Sequence, residues 1–167
     1  MRQFAVILLI LLGFHAHAEH AFLKTSTRDI PLETLQGKWI FISYWATWCP
    51  PCLDEIDVLN QFHQSHQQED VMLFAVNYDG LSPKEQVALA KTHKLKYPSL
   101  IEDPAKALNL GDIPHLPAMF IFNPNGQLQD KQYGEQTLAD LNHYFLKLKK
   151  DFAQAPQSTQ RAYKPSV

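Results

Sequence analysis

The chain has 167 residues, of which 46% are hydrophobic and 19% are charged, and its formal net charge is −2. This length and this apolar content suit one globular domain with a hydrophobic core. The charges nearly balance, so the composition gives no indication of binding to nucleic acid or to an anionic membrane surface.

The N-terminal segment has the pattern of a secretory signal peptide. Arg2 precedes an apolar run over residues 4–14, and Ala16-His17-Ala18 follows as a small-x-small cleavage signature. The run is shorter than the roughly 18 residues that a membrane-spanning helix needs. We therefore predict that residues 1–18 are a signal peptide cleaved after Ala18, and that the chain attaches to a membrane only if this segment stays uncleaved. Residues 19–29 are predicted to be a polar lead-in.

Hydrophobic periodicity divides residues 30–150 into the elements of one α/β domain. The predicted strands cover residues 39–44, 71–76, 97–101, 118–122 and 127–132, and the predicted helices cover residues 49–66, 83–94, 104–110 and 137–150. The first helix connects two nearly continuous apolar strands, which indicates a right-handed parallel βαβ unit. The turn signal at residues 123–126 indicates a hairpin of the last two strands. Residues 151–167 are polar and lack periodicity, so we predict a disordered tail.

The only two cysteines, Cys49 and Cys52, form a C-x-x-C sequence between the first apolar strand and the helix after it. In an exported protein such a pair could be a plain structural disulfide. A three-residue step, however, closes a very short loop, which constrains the unfolded chain least, so a redox pair is favoured. Free N–H groups and the dipole at the start of the helix would stabilise a thiolate at Cys49. Cys52 lies one turn further along the same helix face.

The sequence Trp-Ala-Thr-Trp-Cys-Pro-Pro-Cys at residues 45–52, with Glu55 three residues later, resembles the active site of TlpA/ResA-type thioredoxin-like proteins. These are thiol–disulfide oxidoreductases of the bacterial cell envelope. The resemblance covers residues 30–150 and implies a thioredoxin-like fold, a central mixed sheet with helices on both faces. An added strand and helix are expected between the βαβ unit and the C-terminal hairpin.

The resemblance implies a catalytic role for Cys49, Cys52 and Glu55. Cys49 would be the exposed nucleophile that forms a mixed disulfide with a substrate, and the more buried Cys52 would resolve it. Glu55 would relay a proton when Cys52 attacks. The alternative for Glu55 is a solvated helix residue without a function in the reaction. Cytosolic thioredoxins have a buried aspartate six residues before the first cysteine, where this chain has Ser43.

The expected substrate-binding residues are Trp48, Pro50, Pro51, Leu116 and Pro117. Trp48 would pack beside Cys49 and line the substrate groove, and the two prolines stiffen the loop between the cysteines. Pro117 would be the cis-proline that faces the C-x-x-C, so that Leu116 can pair with an extended substrate segment.

Three neighbouring residues have alternative readings. Pro114 competes with Pro117 for the cis position, although Pro117 directly precedes an apolar strand. His115 could line the rim of the site or be a solvated loop residue. Trp45 is expected in the core rather than in contact with substrate.

The resemblance implies that the partners are exported proteins with disulfides, of the kind found in cytochrome c maturation or copper-site assembly. A membrane thiol transporter would be the electron donor, the compartment would be the periplasm, and no cofactor is required.

One alternative function is that of a disulfide-donating oxidant of the DsbA type, but the chain is too short for the large helical insertion of that type. The other is a copper carrier that combines the thiolates with His63, His66 or His93, whose spacing does not converge on the cysteines. No metal site is therefore predicted.

Overall fold

A five-stranded sheet forms the centre of the computed structural model, which describes residues 22–156. The strands are β1 (Phe22–Lys24), β2 (Asp29–Pro31), β3 (Trp39–Trp45), β4 (Val71–Asn77), β5 (Ser99–Leu100), β6 (Ala118–Phe122) and β7 (Leu128–Tyr133), and the α-helices are α1 (Pro50–Ser65), α2 (Pro83–Thr92) and α3 (Leu138–Gln154). The sheet has the strand order β5-β4-β3-β6-β7. β3 pairs in parallel with β4 and antiparallel with β6, so the sheet is mixed, as predicted.

The central strand β3 separates two hydrophobic clusters. All seven of its residues are buried. Because successive side chains of a strand point to opposite faces, its odd-numbered apolar residues join one cluster and its even-numbered ones the other. α1 follows β3 directly and crosses back to β4, which gives the parallel βαβ unit expected from the sequence.

The first face of the sheet is covered by α1 and α3. Phe145 of α3 makes edge-on ring contacts with Trp39 at 5.8 Å, Phe41 at 5.5 Å and Phe62 at 6.1 Å between ring centroids. α2 has no buried residue, and it adds the partly buried Leu89 to the same cluster. The aromatic contacts of Phe145 therefore hold both long helices against the central strand.

The second face is covered by the β1–β2 hairpin, a 3-10 helix (Leu32–Leu35) and the turns that follow β5. The prediction of a helix over residues 104–110 is wrong. The amide of Leu108 donates to the carbonyl of Pro104 as in an α-helix, but Asn109 then adopts a left-handed φ of 50°, so the turn does not continue. The expected fold has helices on both faces of the sheet. Within residues 22–156, the helix that packs on the second face is the 3-10 helix. The added strand is present as β5, which has two residues.

The structure extends the domain at both ends. α3 continues to Gln154, four residues into the predicted disordered tail, because Phe152 contacts Trp39 at 5.6 Å between ring centroids. The predicted lead-in contains β1, which pairs with β2. The signal peptide predicted at residues 1–18, and residues 157–167 of the tail, lie outside the described residues. Within residues 22–156, no helix is long and apolar enough to cross a membrane.

We expect the Phe145→Ala substitution to destabilise the fold by about 3–5 kcal/mol, because it leaves a cavity where three rings converge. The free energy of unfolding in urea measures this loss. Leu146→Ala is the matched control: its side chain is 60% exposed, so its effect should stay within about 0.5 kcal/mol. Equal losses in the two variants would contradict the assignment of Phe145 to the core.

Candidate active site

The two cysteines lie where β3 ends and α1 begins. Cys49 is the N-cap residue of α1, and it forms a disulfide with Cys52 in which the Cα atoms are 5.3 Å apart. The amide of Cys49 donates to the carbonyl of Ala46 at 3.2 Å, which closes a turn between strand and helix. The predicted arrangement of strand, C-x-x-C and helix is therefore confirmed.

Both cysteines are buried in this disulfide form. Cys49 is 5% exposed and Cys52 is 2% exposed. The expectation of an exposed Cys49 is wrong for the oxidised state, because both cysteines belong to the apolar cluster on the first face of the sheet. The neighbouring Trp48 and Pro50 are exposed, so the site borders solvent next to Cys49.

The first turn of α1 has few backbone donors for a thiolate at Cys49. Pro50 and Pro51 occupy the first helical positions and have no N–H group. The amides of Cys52 and Leu53 donate to the carbonyl of Cys49, at 3.0 and 3.2 Å. The free N–H groups expected from the sequence are therefore either absent, at the two prolines, or hydrogen-bonded, at Cys52 and Leu53. The dipole of α1 remains as the stabilising influence on an ionised Cys49.

Glu55 is a buried carboxyl group, 2% exposed, and not a solvated helix residue. It lies one turn beyond Cys52 on α1, and its Oε1 accepts a hydrogen bond of 2.9 Å from the backbone amide of Gln136. Burial raises the pKa of Glu55 to about 7, the hydrogen bond from Gln136 opposes this shift, and the charge of Glu135 adds to it. A carboxyl group with such a pKa can gain and lose a proton at neutral pH.

The loop before β6 is at the same end of the sheet as the disulfide. The pairing of Tyr44 with Ala118 places the start of β6 beside the end of β3. Among residues 22–156, the one cis peptide bond is Leu116–Pro117, so the choice of Pro117 over Pro114 is confirmed. The carbonyl of Pro117 accepts a hydrogen bond from the amide of Gly134 at 2.9 Å.

The aromatic residues around the site differ in exposure. Trp45 is 3% exposed, and its ring contacts that of His93 at 5.4 Å, so it belongs to the core. Trp48 is 65% exposed beside Cys49. His115 is exposed and contacts the ring of Tyr133 edge-on at 6.3 Å.

Sequence reasoning missed a polar network beside the redox loop. The carboxylate of Asp79, in the loop after β4, accepts hydrogen bonds from both the backbone amide and the hydroxyl of Thr47. Asn77 at the end of β4 donates to the same carboxylate. The only signal in the sequence is that polar residues directly follow a buried strand.

The histidines considered as copper ligands have different surroundings. His63 contacts the ring of Tyr97, and His93 contacts that of Trp45. Both ring nitrogens of His66 lie 2.9 Å from oxygen atoms of Glu69 and Asn142. Residues 22–156 contain no group of three or more His, Cys, Asp or Glu side chains that could hold a metal ion.

A disulfide at the start of the helix after the central strand, on a mixed sheet of this topology, defines a thioredoxin-like thiol–disulfide oxidoreductase. A family profile described as "AhpC/TSA family" matches residues 15–131, and the chain belongs to this family.

Curated relatives and solved structures agree with this class. The chain is 29% identical over 124 residues to the thiol-disulfide oxidoreductase ResA of Bacillus cereus, covering 72% of this chain and 69% of the relative. The crystal structure of StoA from Bacillus subtilis matches with a TM-score of 0.62 and 24% identity over 75% of this chain and 95% of that chain. A putative thiol:disulfide interchange protein DsbE from Chlorobium tepidum has a TM-score of 0.64 and 18% identity, over 79% and 93% of the two chains. The structural matches bear out the thioredoxin-like fold, and the resemblance to ResA-type proteins is confirmed.

The raised pKa of Glu55 has a consequence for stability. The folded protein holds this proton more tightly than the unfolded chain, whose ordinary value is 4.5. The contribution of Glu55 to stability is therefore complete below about pH 4.5 and is lost as the pH rises towards about 7.

We expect Glu55→Gln, which mimics the protonated carboxyl, to remove this loss, so that between about pH 5 and about pH 8 the variant gains on the order of 2–3 kcal/mol relative to wild type. Urea unfolding of the oxidised proteins at several pH values measures the change. Asp57→Asn, which alters an exposed carboxylate on the same helix, should keep the wild-type slope. Parallel curves for wild type and Glu55→Gln would show that Glu55 titrates normally.

Proposed function

We propose that the protein is an exported reductant that transfers two electrons from the Cys49–Cys52 dithiol to disulfides of particular envelope proteins. The observation that carries this proposal is the Cys49–Cys52 disulfide at the start of α1 with the buried Glu55 one turn further along. The predicted signal peptide at residues 1–18 supports export to the periplasm, an oxidising compartment where a dedicated reductant has a task.

The reaction begins with the reduced protein. The Cys49 thiolate attacks one sulfur of the substrate disulfide, so a mixed disulfide forms and the other substrate sulfur leaves as a thiolate. Cys52 then loses its proton and attacks the Cys49 sulfur. The Cys49–Cys52 disulfide forms, and the second substrate sulfur leaves as a thiolate. The substrate has gained two electrons, and the protein is in the form that the structure describes.

Glu55 is the proposed proton acceptor for Cys52. An ordinary carboxylate is too weak a base to take a proton from a thiol at neutral pH. The pKa of Glu55, about 7, is closer to the pKa of a thiol, about 8.5, so the proton transfer costs less free energy. Glu55 returns the proton to solvent or to the departing substrate thiolate.

The substrate lies, in this proposal, between the exposed Trp48 and the loop that carries Leu116 and Pro117. Trp48 presents a large apolar surface beside the nucleophile, and such surfaces dominate the energy of many protein contacts. Pro50 and Pro51 fix the backbone between the two cysteines. An extended substrate segment would pair with the backbone at Leu116.

Each catalytic cycle consumes the dithiol, so the protein needs a dithiol donor that returns two electrons and two protons. A membrane thiol transporter is the expected donor, because the periplasm lacks a reducing thiol pool. The proposed substrates are apoproteins that require free thiols to bind haem or copper. The redox chemistry uses the two sulfur atoms alone and requires no cofactor.

We expect Cys52→Ala to accumulate mixed disulfides with envelope proteins, because no resolving thiol can release them. Non-reducing electrophoresis followed by mass spectrometry identifies the trapped partners. The Cys49→Ala, Cys52→Ala double variant is the matched control and should trap nothing. If Cys52→Ala forms no adduct although its Cys49 reacts with iodoacetamide, the protein lacks disulfide substrates in that compartment.

The reduction potential of the Cys49–Cys52 pair tests the direction of electron transfer. Equilibrium with glutathione should give a potential nearer to about −270 mV, as in thioredoxin, than to about −120 mV, as in DsbA. The higher value would indicate an oxidant.

We expect Trp48→Ala to lower kcat/KM for a protein disulfide by about tenfold, because it removes an exposed apolar surface beside Cys49. The rate with a small disulfide such as oxidised glutathione should change by less than about twofold, since a small substrate does not extend over Trp48. The matched control, Leu146→Ala, also removes an exposed apolar side chain but lies on α3. Equal losses for large and small disulfides would contradict a role of Trp48 in substrate binding.

A further inference from the structure

Hydrogen bonds to the Asp79 carboxylate connect the turn before Cys49 to the end of β4. The backbone amide of Thr47 donates to both oxygens of Asp79, at 3.2 and 3.1 Å, and the Thr47 hydroxyl donates to Oδ1 at 2.9 Å. Asn77 donates to Oδ2 at 2.6 Å, and its own side-chain oxygen accepts from the amide of Asp79 at 3.1 Å. Hydrogen bonds to an ionised carboxylate are the stronger ones in proteins.

This network lies where the backbone pairing of the sheet ends. Trp45 pairs with Asn77 as the last register of β3 with β4, and the amide of Tyr78 donates to the carbonyl of Trp45 at 2.8 Å. Beyond that bond, residues 46–49 leave the sheet. Thr47 and Trp48 are exposed, and the amide of Thr47 has the Asp79 carboxylate as its acceptor. The side chain of Asp79 thus continues the connection between β4 and the redox loop after the backbone pairing has stopped.

We propose that Asp79 is a positioning residue for the redox reaction: through Thr47, it fixes the turn at residues 46–49 so that the Cys49 sulfur stays at the N-terminus of α1. This inference rests on the redox role of the dithiol and not on the identity of the substrates proposed above. Asn77 in turn fixes the orientation of the Asp79 carboxylate.

The position of Cys49 matters more here than in a helix with free N–H groups at its start. Pro50 and Pro51 supply no donors, so the dipole of α1 is the main stabilising influence on the Cys49 thiolate. The effect of a helix dipole falls off within the first turn. A turn that moves away from the helix start would therefore reduce the stabilisation of the thiolate.

The sign of the pKa change separates this role from a simple charge effect. The negative charge of Asp79 by itself disfavours a second negative charge at Cys49. If charge alone mattered, neutralising Asp79 would lower the pKa of Cys49. If Asp79 acts by fixing the turn, its loss raises that pKa, and a contribution to folding stability alone leaves the pKa unchanged.

The experiment uses the full chain with Cys52→Ala, in which Cys49 is the only cysteine. The rate of alkylation by iodoacetamide, measured from about pH 5 to about pH 9, gives the pKa of Cys49. We expect Asp79→Asn to raise this pKa by about half a unit, which lowers the rate about threefold at pH values below the pKa. Thr47→Val should change the pKa in the same direction by less, since one of the hydrogen bonds to Asp79 is lost. Thr47→Ser, which keeps the hydroxyl, and Asp57→Asn, which neutralises an exposed carboxylate on α1, should match the parent protein.

A folded Asp79→Asn variant with an unchanged or lowered pKa would overturn the proposal. Thermal unfolding is measured in parallel, and if Asp79→Asn does not fold, an unchanged pKa in Thr47→Val overturns it instead. Because alkylation requires no protein substrate, failure of the trapping experiment with Cys52→Ala would refute the proposed reductant function and leave this result intact.

Discussion

The structure depends on the transition from the buried strand β3 to the helix α1. β3 is buried along its whole length, and Cys49 is the N-cap residue of the helix that follows within a few residues. The start of a helix carries partial positive charge, which favours a thiolate at that position. Cys49 and Cys52 are three residues apart at the start of this helix, so their sulfur atoms can form a disulfide with each other.

The rest of the fold brings further groups to this end of the sheet. Antiparallel pairing of β3 with β6 brings Pro117 to the end of the strand that leads to Cys49. Glu55 connects α1 to the start of α3 through the amide of Gln136. Asp79 connects the redox loop to the end of β4. A buried carboxyl, an exposed tryptophan and a hydrogen-bonded turn therefore lie close in the chain to the disulfide or are joined to its loop.

Much of this arrangement could be predicted from the sequence because the signals are local. The continuous apolar runs predicted β3, β4 and β6, and the C-x-x-C between strand and helix predicted the redox pair. Pro117 could be distinguished from Pro114 because it directly precedes an apolar strand. The helix predicted from residue 83 begins there as α2, and the Glu85 carboxylate accepts hydrogen bonds from the amide and hydroxyl of the N-cap residue Ser82.

The features that the sequence analysis did not predict have several different causes. Thr47 and Asp79 are 32 residues apart, and no local pattern indicates that they meet. The helix predicted over residues 104–110 was wrong because Asn109 takes a left-handed conformation. The extension of α3 could have been found from Phe152, which lies seven residues after Phe145 and thus on the same helix face. The burial of Cys49 follows from packing against the cluster around α1, which the motif alone does not reveal.

The proposed chemistry requires that Cys49 becomes a reactive thiolate when the disulfide is reduced. The most direct measurement is differential alkylation of the reduced wild-type protein across a pH range, with mass spectrometry to locate the modified cysteine. We expect Cys49 to react first and to titrate well below the value of about 8.5 for a free cysteine. A faster reaction of Cys52, or a Cys49 that titrated like a free peptide thiol and stayed inaccessible to the reagent, would contradict the role of Cys49 as the nucleophile.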